Sequence, residues 1–169
     1  MTFSGSPRQS SSNSKLLHKI SALRNDLDWQ FTDLPSRLPL YFPQRDVSPW
    51  PNEVIEWRQL IKEADVIVIS TPEYLHNWPA NLKNALEWLT TSGELMSKPV
   101  LPITFTPHSP RDEKAMKSLL WSLEALDARV IASLDLYQSE VKIDQKLDLN
   151  TEELLCESLN ILIGAASSV

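Results

Sequence analysis

Two segments of this chain bring together side chains that could do chemistry. The first is Ser4-Gly5-Ser6-Pro7-Arg8-Gln9-Ser10-Ser11-Ser12-Asn13, which gathers hydroxyls, an amide and a guanidinium just ahead of Leu16, Leu17 and Ile20. Those three apolar residues have the spacing of one helical face, so the run opens a helix. A helix start offers unpaired N–H groups and a partial positive charge, which suits a phosphate. The same residues also read as a polar turn that caps a helix through Ser or Asn. The second segment is Thr71-Pro72-Glu73-Tyr74-Leu75-His76-Asn77-Trp78-Pro79. Its prolines stiffen it, and Tyr74, His76 and Trp78 are flat groups able to flank a planar ligand. It also reads as a turn into a helix with proline at its first position.

Other groupings carry less. His18, His76 and His108 lack metal-ligand spacing. Cys156, beside Leu154 and Leu155, reads as a buried thiol rather than a nucleophile. Glu73 reads either as a general base or as a carboxylate accepting backbone N–H groups in its turn. The sequence contains no GxSxG elbow, no P-loop and no GxGxxG turn.

Both segments need elements to position them, and the hydrophobic pattern supplies an alternating series. Met1–Ser4 is a strand stub, 13–24 a helix, 29–34 a short strand, and 35–51 a stiff loop with five prolines. A helix over 53–63 precedes the unbroken apolar run 66–70, the mark of a strand buried on both faces. Helices follow over 79–91, 113–126 and 151–163, the last with Thr151 as N-cap, and strands over 99–105 and 130–136. Pro102 sits awkwardly within its strand. Five strands alternating with helices predict a doubly wound parallel α/β sheet, with ligands at the carboxyl ends of the strands. Trp88 lies about 100° or more from the apolar stripe of its helix. Its indole is expected to face outward, so that the Trp78–Trp88 region and the 113–126 helix form a dimer contact; the alternative is that Trp88 packs under a loop of its own chain.

The 169 residues fit one domain, 1–169, with 42% hydrophobic and 22% charged residues. One cysteine excludes a disulfide scaffold and fits a cytoplasmic home. A net charge of −6 without a basic block argues against nucleic acid, and no apolar stretch is long enough to span a membrane. The N-terminus carries no secretory pattern. Three glycines against twelve prolines mean that loops are shaped mostly without glycine.

Taken together, the two segments resemble a known family. SGSPRQSSSN resembles the SGSxRxxSxN phosphate loop of the NADPH-dependent FMN reductases, and TPEYLHNWPANLKNALEWL resembles their TPEYNxxxPxxLKNAxDWL segment. The resemblance implies a flavodoxin-like fold with strand order 2-1-3-4-5 and noncovalently bound FMN. It implies NADPH or NADH as co-substrate, a quinone, flavin, azo or metal-oxyanion acceptor, and a homodimer or homotetramer. By position, Ser6, Arg8, Ser11 and Asn13 would hold the phosphate. Pro72, Glu73 and Tyr74 would frame the isoalloxazine, and His108 and Ser109 would complete its site in the loop after the fourth strand. That loop lacks the family's glycine pair, Leu75 replaces a common Asn, and the first strand is unusually short. Apolar residues upstream of Met1, if encoded, are expected to raise stability. These departures leave a second reading: a flavodoxin-like binding or regulatory domain with weak or no FMN binding and no reductase activity.

Overall fold

The computed structural model describes residues 1–166. Among these, six parallel strands form one sheet: β1 (Thr2–Ser4), β2 (Phe31–Thr32), β3 (Ile67–Thr71), β4 (Pro99–Thr106), β5 (Arg129–Val130) and β6 (Leu134–Tyr137). Their order is β2-β1-β3-β4-β5, with β6 also paired to β4. The helices are α1 (Ser12–Leu23), α2 (Asn52–Glu63), α3 (Ala80–Glu87), α4 (Glu113–Ala125) and α5 (Leu149–Ala166). This is the expected flavodoxin-like arrangement.

Alternation along β3 and β4 feeds two cores, as a sheet covered on both faces requires. Val68, Leu101, Ile103 and Phe105 meet Leu16, Leu17 and Ile20 of α1 and Leu155, Leu159 and Leu162 of α5. Ile67, Ile69 and Val100 meet Val54, Trp57 and Ile61 of α2, Leu82 and Leu86 of α3, and Leu119 and Leu123 of α4. Burying each such aliphatic side chain contributes about 1.5–3 kcal/mol relative to exposure.

The short β1 is central and well held. It pairs with both β2 and β3, and the Met1 amino group donates to the Val66 carbonyl at 3.0 Å. Gly5 then leaves the strand where only glycine fits. A Cβ there would lie 2.6 Å from Thr71 Oγ1 and 2.7 Å from Leu82 Cδ2.

Four expectations are revised. The last strand is not continuous but splits into β5 and β6. The Val100 carbonyl accepts from Ile131 N–H at 3.1 Å, and Pro102, next in that parity, has no N–H to continue the ladder. Pairing resumes at Ile103 with Leu134. The last helix starts earlier than expected, because Asp148 rather than Thr151 caps it: Asp148 Oδ1 accepts the Thr151 N–H at 3.0 Å and Oδ2 its hydroxyl at 2.6 Å. The helix expected over 79–91 ends at Glu87. Finally, Trp88 is fully buried at that helix end, not outward. Its Nε1 donates to the Pro39 carbonyl at 2.8 Å, and Tyr41 packs edge-on at 5.1 Å, so the proline-rich loop of the same chain covers it.

That loop is itself pinned by one buried ion pair. Arg58 of α2 donates to Asp46 at 2.7 Å and to the Trp88 carbonyl, and stacks on Trp50 at 5.0 Å. Burial opposes ionisation of Asp46, but hydrogen bonds from Thr91, Arg58 and Trp50 outweigh it and hold its pKa below the ordinary value. Among the described residues no helix is long and apolar enough to cross a membrane.

Candidate functional site at the carboxyl ends of β1, β3 and β4

The loop between β1 and α1 is organised by its own serines. Ser4 Oγ accepts from Ser6 N–H at 3.1 Å, Ser6 Oγ from Arg8 N–H at 3.4 Å, and Ser11 N–H donates to the Arg8 carbonyl at 3.2 Å. Ser11 is the N-cap of α1: its Oγ accepts from Ser14 N–H at 3.0 Å. Among the described residues nothing in the chain accepts from the N–H groups of Gln9, Ser10, Ser12 or Asn13. Four unspent donors at a helix start, with the exposed Arg8 guanidinium beside them, fit an anion such as the FMN phosphate.

The four phosphate-loop residues divide by what their side chains do. Arg8 lines a cleft of about 750 Å³ that also takes in Ser4 and Ser6 and extends towards β2. It also lines a second cleft of about 350 Å³, with Ser10, Ser12, Lys15 and Gln138. Ser6 is buried but belongs to the first of these clefts. Ser11 is buried and spent on its cap. Asn13 leaves its backbone N–H in that donor set but turns its side chain inward. It is 1% exposed, its Oδ1 accepts from Ser70 Oγ at 2.7 Å, and its Nδ2 donates to the Phe105 carbonyl at 3.2 Å. Its amide ties α1 to β3 and β4 instead of facing the anion seat.

After β3, Pro72 is buried and the chain makes a two-residue hairpin. Tyr74 N–H donates to the Asn77 carbonyl at 2.6 Å and Asn77 N–H returns to Tyr74 at 2.9 Å. Leu75 and His76 between them have φ of 51° and 61°. Such turns favour Asn-Gly, and a left-handed side chain costs about 1–2 kcal/mol. The turn therefore carries strain at Leu75 and His76. Leu75 is wholly exposed and Tyr74 half exposed.

Glu73 links its own loop to α4. Its Oε2 accepts from Ala115 N–H at 3.2 Å, in the first turn of α4, and its Oε1 lies 3.3 Å from His76 Nδ1. Trp78 Nε1 reaches Ser118 of α4 at 3.1 Å. The loop after β3 thus rests on α4, the helix that the loop after β4 leads into. His108 and Ser109 are exposed in the loop after β4, with His108 Nδ1 3.1 Å from the Ser109 carbonyl.

One group at the start of α4 escaped sequence reasoning. Asp112 stands at the N-cap of α4 but makes no cap. With Ala115 N–H taken by Glu73, its carboxylate turns to the sheet, where Oδ2 accepts from Tyr137 at 2.7 Å. An Asp before a helix reads as a cap, and nothing local signals that a distant Glu has taken that place.

Comparison with known proteins agrees with this architecture. Residues 1–139 match the family model for NADPH-dependent FMN reductase. The chain belongs to the NADPH-dependent FMN reductase family. Within this family and its relatives, the chain is 30% identical over 162 residues to the quinone reductase of Escherichia coli (strain K12), covering 92% of this chain and 84% of that protein. It is 36% identical over 136 residues to the NADH:(hydroxy)cinnamate reductase subunit CrdA of Vibrio ruber, covering 76% of this chain. That match spans only 64% of the Vibrio protein, and the match to a Burkholderia 2-hydroxy-1,4-benzoquinone reductase spans 45% of that one. The fold is that of the flavoenzyme NAD(P)H:(acceptor) oxidoreductase FerB from Paracoccus denitrificans, with a TM-score of 0.79 at 20% identity over 98% of this chain and 95% of that one. The SGSPRQSSSN and PEY segments thus lie at the carboxyl ends of the adjacent strands β1 and β3, where the flavodoxin-like topology puts ligands.

Proposed function

We propose that this chain, as one domain, is an FMN-dependent NAD(P)H oxidoreductase that reduces a small-molecule acceptor of the quinone, flavin, azo or metal-oxyanion kind. The observation that carries this reading is the set of unspent N–H donors at the start of α1, beside Arg8, in a chain of this family. Bound FMN supplies the chemistry by accepting hydride from the nicotinamide and passing the electrons on.

The protein's part is to bind and orient. Ser6, Arg8 and the loop N–H groups, that of Asn13 among them, hold the phosphate, while the side chains of Ser11 and Asn13 keep that loop in shape from behind. The Pro72–Tyr74 backbone and the Tyr74 ring flank the flavin plane, with His108 and Ser109 on the opposite rim. The wide exposure of both rims suits a site where nucleotide and acceptor take turns on one flavin face. A homodimer and a cytoplasmic location complete the proposal. The hydride donor is a cytoplasmic metabolite, and Cys156 has no intrachain cysteine partner.

The test is reconstitution followed by steady-state kinetics. Protein loaded with FMN is expected to be yellow and to oxidise NADPH, with parallel double-reciprocal lines against a quinone. Intersecting lines would contradict the shared face. A protein that FMN cannot reconstitute would favour the binding-domain reading motivated by the glycine-free loop 107–112.

A further inference from the structure

The cleft of about 750 Å³ beside Arg8 opens at the carboxyl end of β2, and the flavin reading uses only its loop wall. Strand β2 pairs with Thr2 and Phe3 of β1 and then stops, whereas β1 runs on to Ser4, whose strand neighbour is Ser70 on the β3 side. The space left beside β1 is lined by the loop 6–9, by His18 of α1, and by Phe31, Asp33 and Arg37 at and after β2. Glu56 of α2 is the remaining charged group in its lining. No residue of 72–79 or 107–112 lines it, so the loops that frame the flavin ring lie outside this cleft.

The side chains of this lining are largely uncommitted. His18 and Phe31 stack with ring centroids 4.3 Å apart at 23°, and Phe31 is 40% exposed on its edge strand. Arg37 Nε lies 3.5 Å from Asp33 Oδ1, a loose pair with both side chains more than half exposed. Among the described residues the terminal nitrogens of Arg37, the other Asp33 oxygen and the Arg8 guanidinium have no partner. Aromatic faces stack on planar bases, and guanidinium groups grip phosphate oxygens in pairs. A carboxylate just beyond a parallel strand accepts from ribose hydroxyls in dinucleotide sites, and an arginine nearby accommodates a ribose phosphate.

We propose that this cleft binds a phosphorylated nucleoside, with the base against the His18–Phe31 pair, a ribose hydroxyl on Asp33 and the phosphate on Arg37. Asp33 holds the Nε side of Arg37 and so leaves the terminal nitrogens to the phosphate. Arg8 closes the loop side, where it lines this cleft and the second one of about 350 Å³. Two sources share this chemistry: the phosphoadenosine end of NADPH, and a separate purine nucleotide.

The first source rests on the oxidoreductase reading and deepens it. NADPH and NADH differ by one phosphate on the adenosine ribose, so only a group that meets this phosphate can tell them apart. Arg37 is such a group, and it stands outside the loops that frame the flavin ring. A contact so far from the reacting atoms acts equally on bound substrate and transition state, so it appears in KM rather than in kcat.

The test titrates adenosine 2′,5′-bisphosphate into FMN-saturated protein, followed by calorimetry and by NMR. Saturable binding is expected, with shifts at His18, Phe31 and Arg37. Arg37→Ala is expected to weaken it about tenfold or more, as loss of a charge-assisted phosphate contact does, and Phe31→Ala to weaken it as well. Both side chains are exposed enough for the variants to keep the fold, which their unfolding midpoints check. Competition with NADPH, and a ratio of NADPH to NADH KM that rises about tenfold in Arg37→Ala, assign the site to the coenzyme. Binding that responds to Arg37→Ala without competing assigns it to a separate nucleotide. No saturable binding, or equal affinity in Arg37→Ala, overturns the proposal. The titration needs no turnover: NADPH oxidation without bisphosphate binding sinks the cleft site alone, and binding without NADPH oxidation sinks the oxidoreductase reading and leaves the nucleotide site standing.

Discussion

Arg8 and Asn13 sit five positions apart in one loop and make opposite demands on a substitution. Arg8 is exposed between two clefts and has only its backbone committed to the loop. Arg8→Ala should remove a charge-assisted hydrogen bond worth about 1.5–3 kcal/mol from FMN binding, while riboflavin binding holds. Asn13→Ala should instead strip partners from Ser70 and the Phe105 carbonyl, at about 1–3 kcal/mol of fold stability for each orphaned group. Titrating apo-protein with FMN and with riboflavin, alongside denaturant unfolding, separates the two. Equal FMN affinity in Arg8→Ala would remove that residue from the phosphate. Both residues carry the same resemblance in the sequence, and only burial distinguishes a ligand from a brace.

Between elements, the proline-rich loop 35–51 is the piece most dependent on a single contact. Asp46, almost wholly buried, is held by Arg58, Trp50 and Thr91. Losing one partner of such a pair costs about 3–5 kcal/mol, and Asp46→Asn should lower the unfolding midpoint accordingly at neutral pH. Because the folded pKa of Asp46 lies below its unfolded value, its contribution is present above an unfolded pKa of about 3.9 and is lost as pH falls through the folded pKa. The Asn variant has no such dependence, so the gap between the two midpoints should close in acid. A gap that persists at pH 2 would mean that the ion pair is not its source.

For the molecule as a whole, the buried Trp88 moves the proposed dimer contact elsewhere. Helix α4 presents Trp121 at 62% exposure, with Lys117 5.2 Å over its ring. Exposed tryptophan is enriched among residues that dominate interfaces, and α4 also holds the loop after β3. Light scattering is expected to give a dimer for the wild type and a monomer for Trp121→Glu. A monomeric wild type removes the dimer from the proposal, and a dimeric Trp121→Glu moves the interface off this residue.

Much of this was legible in the chain itself. The apolar run at 66–70, the helical stripes and the alternation of elements demanded a parallel sheet covered on both faces, and the two loop segments carried the family. Local pattern suffices there because periodicity 2 or 3.6 and turn chemistry act over a few residues. What only the tertiary structure decided depends on groups distant in sequence. Pro102 interrupts an edge strand because the ladder it faces runs through Ile131. Trp88 is covered by a loop some fifty residues earlier, and Asn13 is drawn inward by Ser70 and Phe105. Asp112 is left for Tyr137 because Glu73, from another strand's loop, already holds the first turn of α4. Each outcome is a competition for a hydrogen-bond partner or for buried space, and its winner exists only once the strands are in register.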